Sequence, residues 1–177
     1  MFTNELIKKA HENAVAHGFW DPAPRTPETR ALIHSEISES FEEWRNNRPN
    51  EYTGESGKPE GVWVELADVV LRVADLFGHL GVQLKTETSE FMEITNRVSA
   101  DMYDLNASFA EFIDCLHIIT TKTEFADNMD GTVRELIKLL LVIYARAEVD
   151  GIDLDGIVER KHAYNVTRPY RHGDKRL

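Results

Sequence analysis

The stretch GVWVELADVVLRVADLFGHL, residues 61–80, decides how the chain is read. Wound at about 100° per residue, Glu65, Asp68, Arg72, Asp75 and His79 fall within one narrow sector, and nearly everything else is apolar. Such a pattern describes a helix buried on most sides, whose single polar stripe opens either to solvent or to a polar cleft. Elsewhere the helical period persists, and no long stretch alternates apolar and polar residues as a half-buried sheet would. The expected fold is therefore all-α, a helical bundle, with helices near 3–17, 27–47, 60–80, 87–104, 107–124, 132–149 and 154–167. Local chemistry marks the breaks. Thr26 before Pro27 has the form of an N-cap followed by a first-turn proline, NNRPNEYTGESGKPEG reads as a polar loop, and Thr132 after DNMDG is placed to cap the next helix.

Bulk properties narrow the possibilities. The 177 residues are enough for one domain with a real core or for two small halves packed together, and the composition, 42% hydrophobic and 29% charged, is that of a globular protein. A formal net charge of −11 argues against binding nucleic acid polymers or anionic membranes, which need a basic footprint. Small anionic ligands stay possible, because a metal ion reverses the local sign. Cys115 is the only cysteine, so no disulfide framework exists, and the N-terminus lacks the apolar core of a signal peptide. Cytoplasmic residence is the resulting expectation. The most apolar run, LIKLLLVIYA at 136–145, is too short to span a membrane and contains Lys138, so it reads as a buried helix.

The acids form two pairs. In IHSEISESFEEWR, residues 33–45, Ile33, Ile37, Phe41 and Trp44 share an apolar face, and Glu36 and Glu39 lie on a stripe beside it. Glu65 and Asp68 repeat the three-residue spacing on the following helix. If the two helices pack antiparallel, four carboxylates can converge, and such hard oxygen donors suit Mg²⁺ or Mn²⁺. The competing reading is two acidic faces in water. Near the end of the chain, ERKHAYNVTRPYRHGDKRL inverts the charge. Lys161, Asn165 and Arg168, spaced i, i+4, i+7, offer a donor face suited to phosphate oxygens before Pro169 stops the helix. The plainer alternative is a basic tail that neutralises acids elsewhere.

Taken together, HSEISESFEEWR, GVWVELADVVLRVAD and GIDLDGIVERKHAYNVTRPYRHGDKR resemble the MazG-like nucleotide pyrophosphohydrolases of the all-α NTP pyrophosphatase superfamily, over about residues 5–82 and 150–176. The resemblance implies a single helical domain over 1–177, with about 85–149 as an extra helical segment. It also implies Mg²⁺-dependent cleavage of nucleoside triphosphates, dNTPs foremost, to monophosphate and pyrophosphate, which would control or clean the nucleotide pool. Homodimers or homotetramers are the implied assemblies. Carried over by position, Glu36, Glu39, Glu65 and Asp68 would be metal ligands, with Glu36 or Glu39 helping to deprotonate the attacking water. Lys161, Asn165 and Arg168 would contact phosphate or sugar, with Tyr164 nearby. Ser35 departs from the pattern, since many members carry a further glutamate there.

Three further readings stay open. Shifted by 70 residues, ELADVVLRVADLFGHLGVQL lies on ELIKLLLVIYARAEVDGIDL, with Glu65/Glu135, Leu66/Leu136, Leu71/Leu141, Gly81/Gly151 and Leu84/Leu154 identical. That is either a degenerate internal duplication or chance between leucine-rich helices; Lys138 falls where Asp68 stands. Upstream, Glu36 and Glu39 can be set against Glu111 and Asp114. Trp20, in HGFWD, either stacks on a nucleobase, with His17 lining the pocket, or plugs the space under a proline loop. Finally, the chain could be a non-catalytic helical module that binds a nucleotide, or assembles with a protein, without cleaving anything.

Overall fold

The structure, a computed structural model, describes residues 2–85, 104, 106–126 and 128–171. It is all-α apart from one short ladder, and the chain divides into two compact units, residues 1–83 with 155–177 and residues 84–154.

The first unit is built around the apolar helix at 61–80. Helix α1 spans Asn4–Ala16 and is capped by Thr3, whose hydroxyl accepts from the Leu6 N–H at 3.2 Å. Helix α2 spans Thr26–Arg45. Its N-cap is Arg25 and not Thr26: the Glu28 carboxylate reaches back to the Arg25 N–H at 2.6 Å, so the helix begins one residue earlier than the Thr26 hydroxyl suggests. The polar loop that follows carries an antiparallel ladder of β1, Tyr52–Thr53, and β2, Pro59–Glu60. Helix α3, Val62–Leu80, starts at Gly61, where φ is 127° and a Cβ would lie 2.7 Å from the Pro49 carbonyl oxygen, so only glycine fits.

Both partner helices run antiparallel to α3. Ser40 of α2 donates to the Val62 carbonyl while Glu36, one turn earlier, reaches Arg72. On the other side His11 of α1 reaches Asp75, and Phe2 meets Phe77 edge-on. Ile33 and Ile37 of α2, Ile7 and Ala10 of α1, and Trp63, Val70, Val73 and Phe77 of α3 are buried, which removes most of the apolar surface of α3 from water.

In the second unit, α4 spans Phe109–Lys122, a 3₁₀ turn covers Thr123–Phe125, and α5 spans Met129–Val149. Ser108 caps α4 in a reciprocal box with Glu111. Asn128 caps α5, its side chain accepting from the Gly131 N–H at 2.9 Å; Thr132 instead lies in the first turn, its hydroxyl donating to the Asn128 carbonyl. Phe112, Leu116 and Ile119 of α4 and Leu136, Leu139, Val142 and Ile143 of α5 form a buried cluster. The run at 136–145 thus lies inside α5, and no helix of the described residues is long and apolar enough to cross a membrane.

The chain then returns to the first unit through α6, Leu154–Val166, which buries Ile157, Val158 and Lys161 along one face. Helices α3 and α5 end alike. Gly81 and Gly151 both have φ of 68°, and the Val82 and Ile152 N–H groups reach back to the Phe77 and Ala147 carbonyls, positions related by the same 70-residue offset. Of the helix expected at 87–104, residues 87–103 lie outside the described residues.

Candidate functional site

The antiparallel packing of α2 on α3 brings acids together. Glu36, Glu65 and Asp68 each offer an oxygen, and the three oxygens lie within 4.8 Å of one another. Glu36 and Glu65 are buried, at 8% and 4% exposure, which is rare for glutamate without a partner. Glu39 lines the same cleft but is not one of the three; it is exposed and accepts a hydrogen bond from the Ser35 hydroxyl at 2.9 Å. Ser35 therefore orients the acid one turn further along the helix.

Each clustered carboxylate has a cation at hand. Arg72 donates from Nε and Nη2 to Glu36 Oε1 at 3.2 and 3.1 Å. The Lys161 ammonium lies 2.8 Å from Asp68 Oδ2 and donates to the Pro59 carbonyl at 3.2 Å. Lys58 approaches Glu65 at 3.9 Å and is shared with Glu60. These cations do not offset the loss of water. Burial, and next the charge of Asp68, push the Glu36 carboxyl up to about 7, against the pull of Arg72. Burial likewise lifts Glu65 to about 7, although Lys161 opposes it. Burial disfavours the charge on Lys161, but Asp68 and Glu65 outweigh it and hold its pKa above the usual lysine range.

The acids sit in a cleft of about 320 Å³, at the lower end of the range for small-molecule sites. Its α6 wall is formed by His162, Asn165 and Arg168, spaced i, i+3, i+6, where the sequence suggests Lys161, Asn165 and Arg168. Lys161 turns inward, 1% exposed, because it continues the buried stripe of Ile157 and Val158 and meets Asp68 there. Asn165 Oδ1 is buried and accepts no hydrogen bond among the described residues. Arg168 follows the last turn of α6 and lines the cleft mouth. Tyr164 is not on the cleft wall; its carbonyl accepts from the Thr167 N–H and hydroxyl. Trp20 is also off the wall. Its indole N–H donates to Asp75 Oδ1 at 2.8 Å, and its ring stacks on His79 at 3.9 Å, while Phe19 beside it does line the cleft. His11 shares the same Asp75 oxygen.

The end of α6 is fastened to the loop after α1. The two ring nitrogens of His17 lie 2.8 Å from the Asn13 carbonyl and 2.9 Å from the Arg168 carbonyl. The Arg171 N–H donates to the His17 carbonyl and its guanidinium to the Asp21 carbonyl. Tyr170 packs so closely on Gly18 that a Cβ there would collide with the ring. His172 and Gly173, which close the C-terminal motif, lie outside the described residues. Lys58, Asn13 and His162 also line the cleft and carry no signal in the sequence, since each stands in a loop or on a helix face of mixed character.

The fold and the site together define a class: an all-α bundle with a half-buried acidic cleft walled by amide and guanidinium groups. Comparison with protein-family models, with curated proteins and with solved structures finds no match to this chain. The donor set itself fits a hard divalent cation: three carboxylate oxygens, no sulfur or imidazole among them, two of the groups buried and carrying excess proton affinity.

Proposed function

We propose that this chain is a MazG-like nucleoside triphosphate pyrophosphohydrolase that uses Mg²⁺ or Mn²⁺ to release pyrophosphate and a nucleoside monophosphate, with dNTPs foremost. The observation that supports it most is the meeting of Glu36, Glu65 and Asp68 from two helices in a cleft that Asn165 and Arg168 also line. Glu36, Glu65 and Asp68 would hold the cation, which when bound neutralises phosphate charge and sharpens the acidity of a nearby water.

The remaining work falls to the protein. Arg72 fixes Glu36 through two N–H donors to one oxygen, leaving the other oxygen for the ligand. Glu39, exposed at the cleft and steadied by Ser35, would take the proton from the attacking water. Arg168 and Lys58 face phosphate oxygens and stabilise the leaving pyrophosphate. Lys161 is less available for that role, because its ammonium is held by Asp68. The buried Asn165 oxygen accepts a hydrogen bond from a sugar hydroxyl or a base amino group.

The test is a panel of NTPs and dNTPs with Mg²⁺, pyrophosphatase and phosphate detection, run on the wild type and on Asp68→Asn and Glu39→Gln. Turnover is expected in the wild type only, with helicity retained in all three. A wild type that binds nucleotide but releases no pyrophosphate would turn the assignment toward the non-catalytic module.

A further inference from the structure

Among the three cations at the acidic cluster, Lys161 differs in kind. Lys58 stands 3.9 Å from Glu65, is 31% exposed and is shared with Glu60, so it can swing into solvent. Arg72 engages one oxygen of Glu36 and leaves the other. Lys161 comes from a separate helix, is 1% exposed, and its ammonium is confined between Asp68 Oδ2 and the Pro59 carbonyl. It cannot retreat to water without α6 moving. A second cation drawn to Asp68 would therefore meet a positive charge that stays in place.

The second unit holds a lysine–glutamate pair within one helix. Glu135 and Lys138 stand 70 residues beyond Glu65 and Asp68, and there the ammonium lies 2.6 Å from the carboxylate on the same helix. Where the sequence carries lysine in place of the second acid, an ammonium occupies the carboxylate directly.

We infer that Lys161 is an internal counter-cation that competes with the divalent ion for Asp68 and so holds down the affinity of the site. This rests on the reading of Glu36, Glu65 and Asp68 as a cation site. The competition makes occupancy a choice between ammonium and divalent ion, and ties the charge state of the cluster to the helix that carries Asn165 and leads into Arg168.

The experiment measures free Mn²⁺ by electron paramagnetic resonance during titration of the wild type and of Lys161→Met. The variant is expected to bind Mn²⁺ roughly tenfold more tightly or better, since it removes one full charge within hydrogen-bonding distance of a ligand. Binding by the variant alone would also support the inference. Equal or weaker binding by the variant overturns it and leaves the proposed function standing; no binding by either protein overturns both. Should Lys161→Met not fold, the wild type with ¹³Cε-lysine decides the matter during Mg²⁺ titration. The Lys161 resonance should shift as the site fills, because its ammonium no longer has Asp68 to itself, and a resonance that stays fixed at saturation overturns the inference.

Discussion

Glu36 and Glu65 take up protons more readily in the folded chain than in the unfolded one. Both are raised from an ordinary 4.5 to about 7. Between those values the native state binds more protons than the unfolded state, so stability falls as pH rises through that window. Each tenfold gain in proton affinity corresponds to about 1.4 kcal/mol, so the two groups together account for a loss of several kcal/mol. In EDTA the melting temperature should therefore be higher near pH 5 than near pH 8, and Mg²⁺ should raise it more at pH 8, where both carboxylates are ionised. An equal response to Mg²⁺ at both pH values would contradict a cation seated on these groups. The clustering of Glu36, Glu65 and Asp68 is legible only in part: the three-residue spacing puts each pair on one stripe, but whether the stripes meet or face water, and that Glu39 stays outside the cluster, depends on how the helices pack. The inward turn of Lys161 is not legible, since i, i+4, i+7 spacing fixes a shared face but not which side of that face meets the core. Trp20 is equally opaque: its partner Asp75 lies 55 positions away in the chain.

At the scale of elements, the close approach of α1 to α3 depends on Gly78. A Cβ at that position would collide with His11 Cβ and lie 3.2 Å from the Ile7 carbonyl oxygen. Alanine is the better helix former by about 1 kcal/mol, yet Gly78→Ala is expected to destabilise the protein by about 1–3 kcal/mol, because two helices must separate. Chemical denaturation would check the sign, and a more stable variant would show that α1 yields freely. The separation would also loosen the His11–Asp75 hydrogen bond and, with it, the anchor of Trp20. Helix positions are readable throughout the described residues because apolar periodicity persists over several turns. Their first residues are less so. Arg25 takes the place expected of Thr26, and Asn128 that of Thr132, because local backbone geometry chooses a cap among several adjacent polar side chains.

Across the molecule, the two units differ in chemistry despite their common helix endings. In the first, acids from two helices converge. In the second, Glu111 is engaged in the Ser108 cap and Glu135 with Lys138, and among the described residues no acidic cluster forms there. The 70-residue offset is visible in the chain, whereas how the acids of the second unit are engaged can be judged only from the partners each acid finds. The first unit is also closed by contacts between distant parts of the chain, since the segment around residues 168–171 is held to the loop at 17–21. That closure passes through a point where one hydrogen stands in for a side chain. Adding a single methyl group in Gly18→Ala, at a φ of 76°, would push Tyr170 aside and strain the loop whose His17 holds the Arg168 carbonyl, without touching any acid. The expected signature is a several-fold rise in KM for nucleotide with Mn²⁺ affinity unchanged. Substrate grip and ion grip would then be separately adjustable, the former governed by a residue that has no functional group at all.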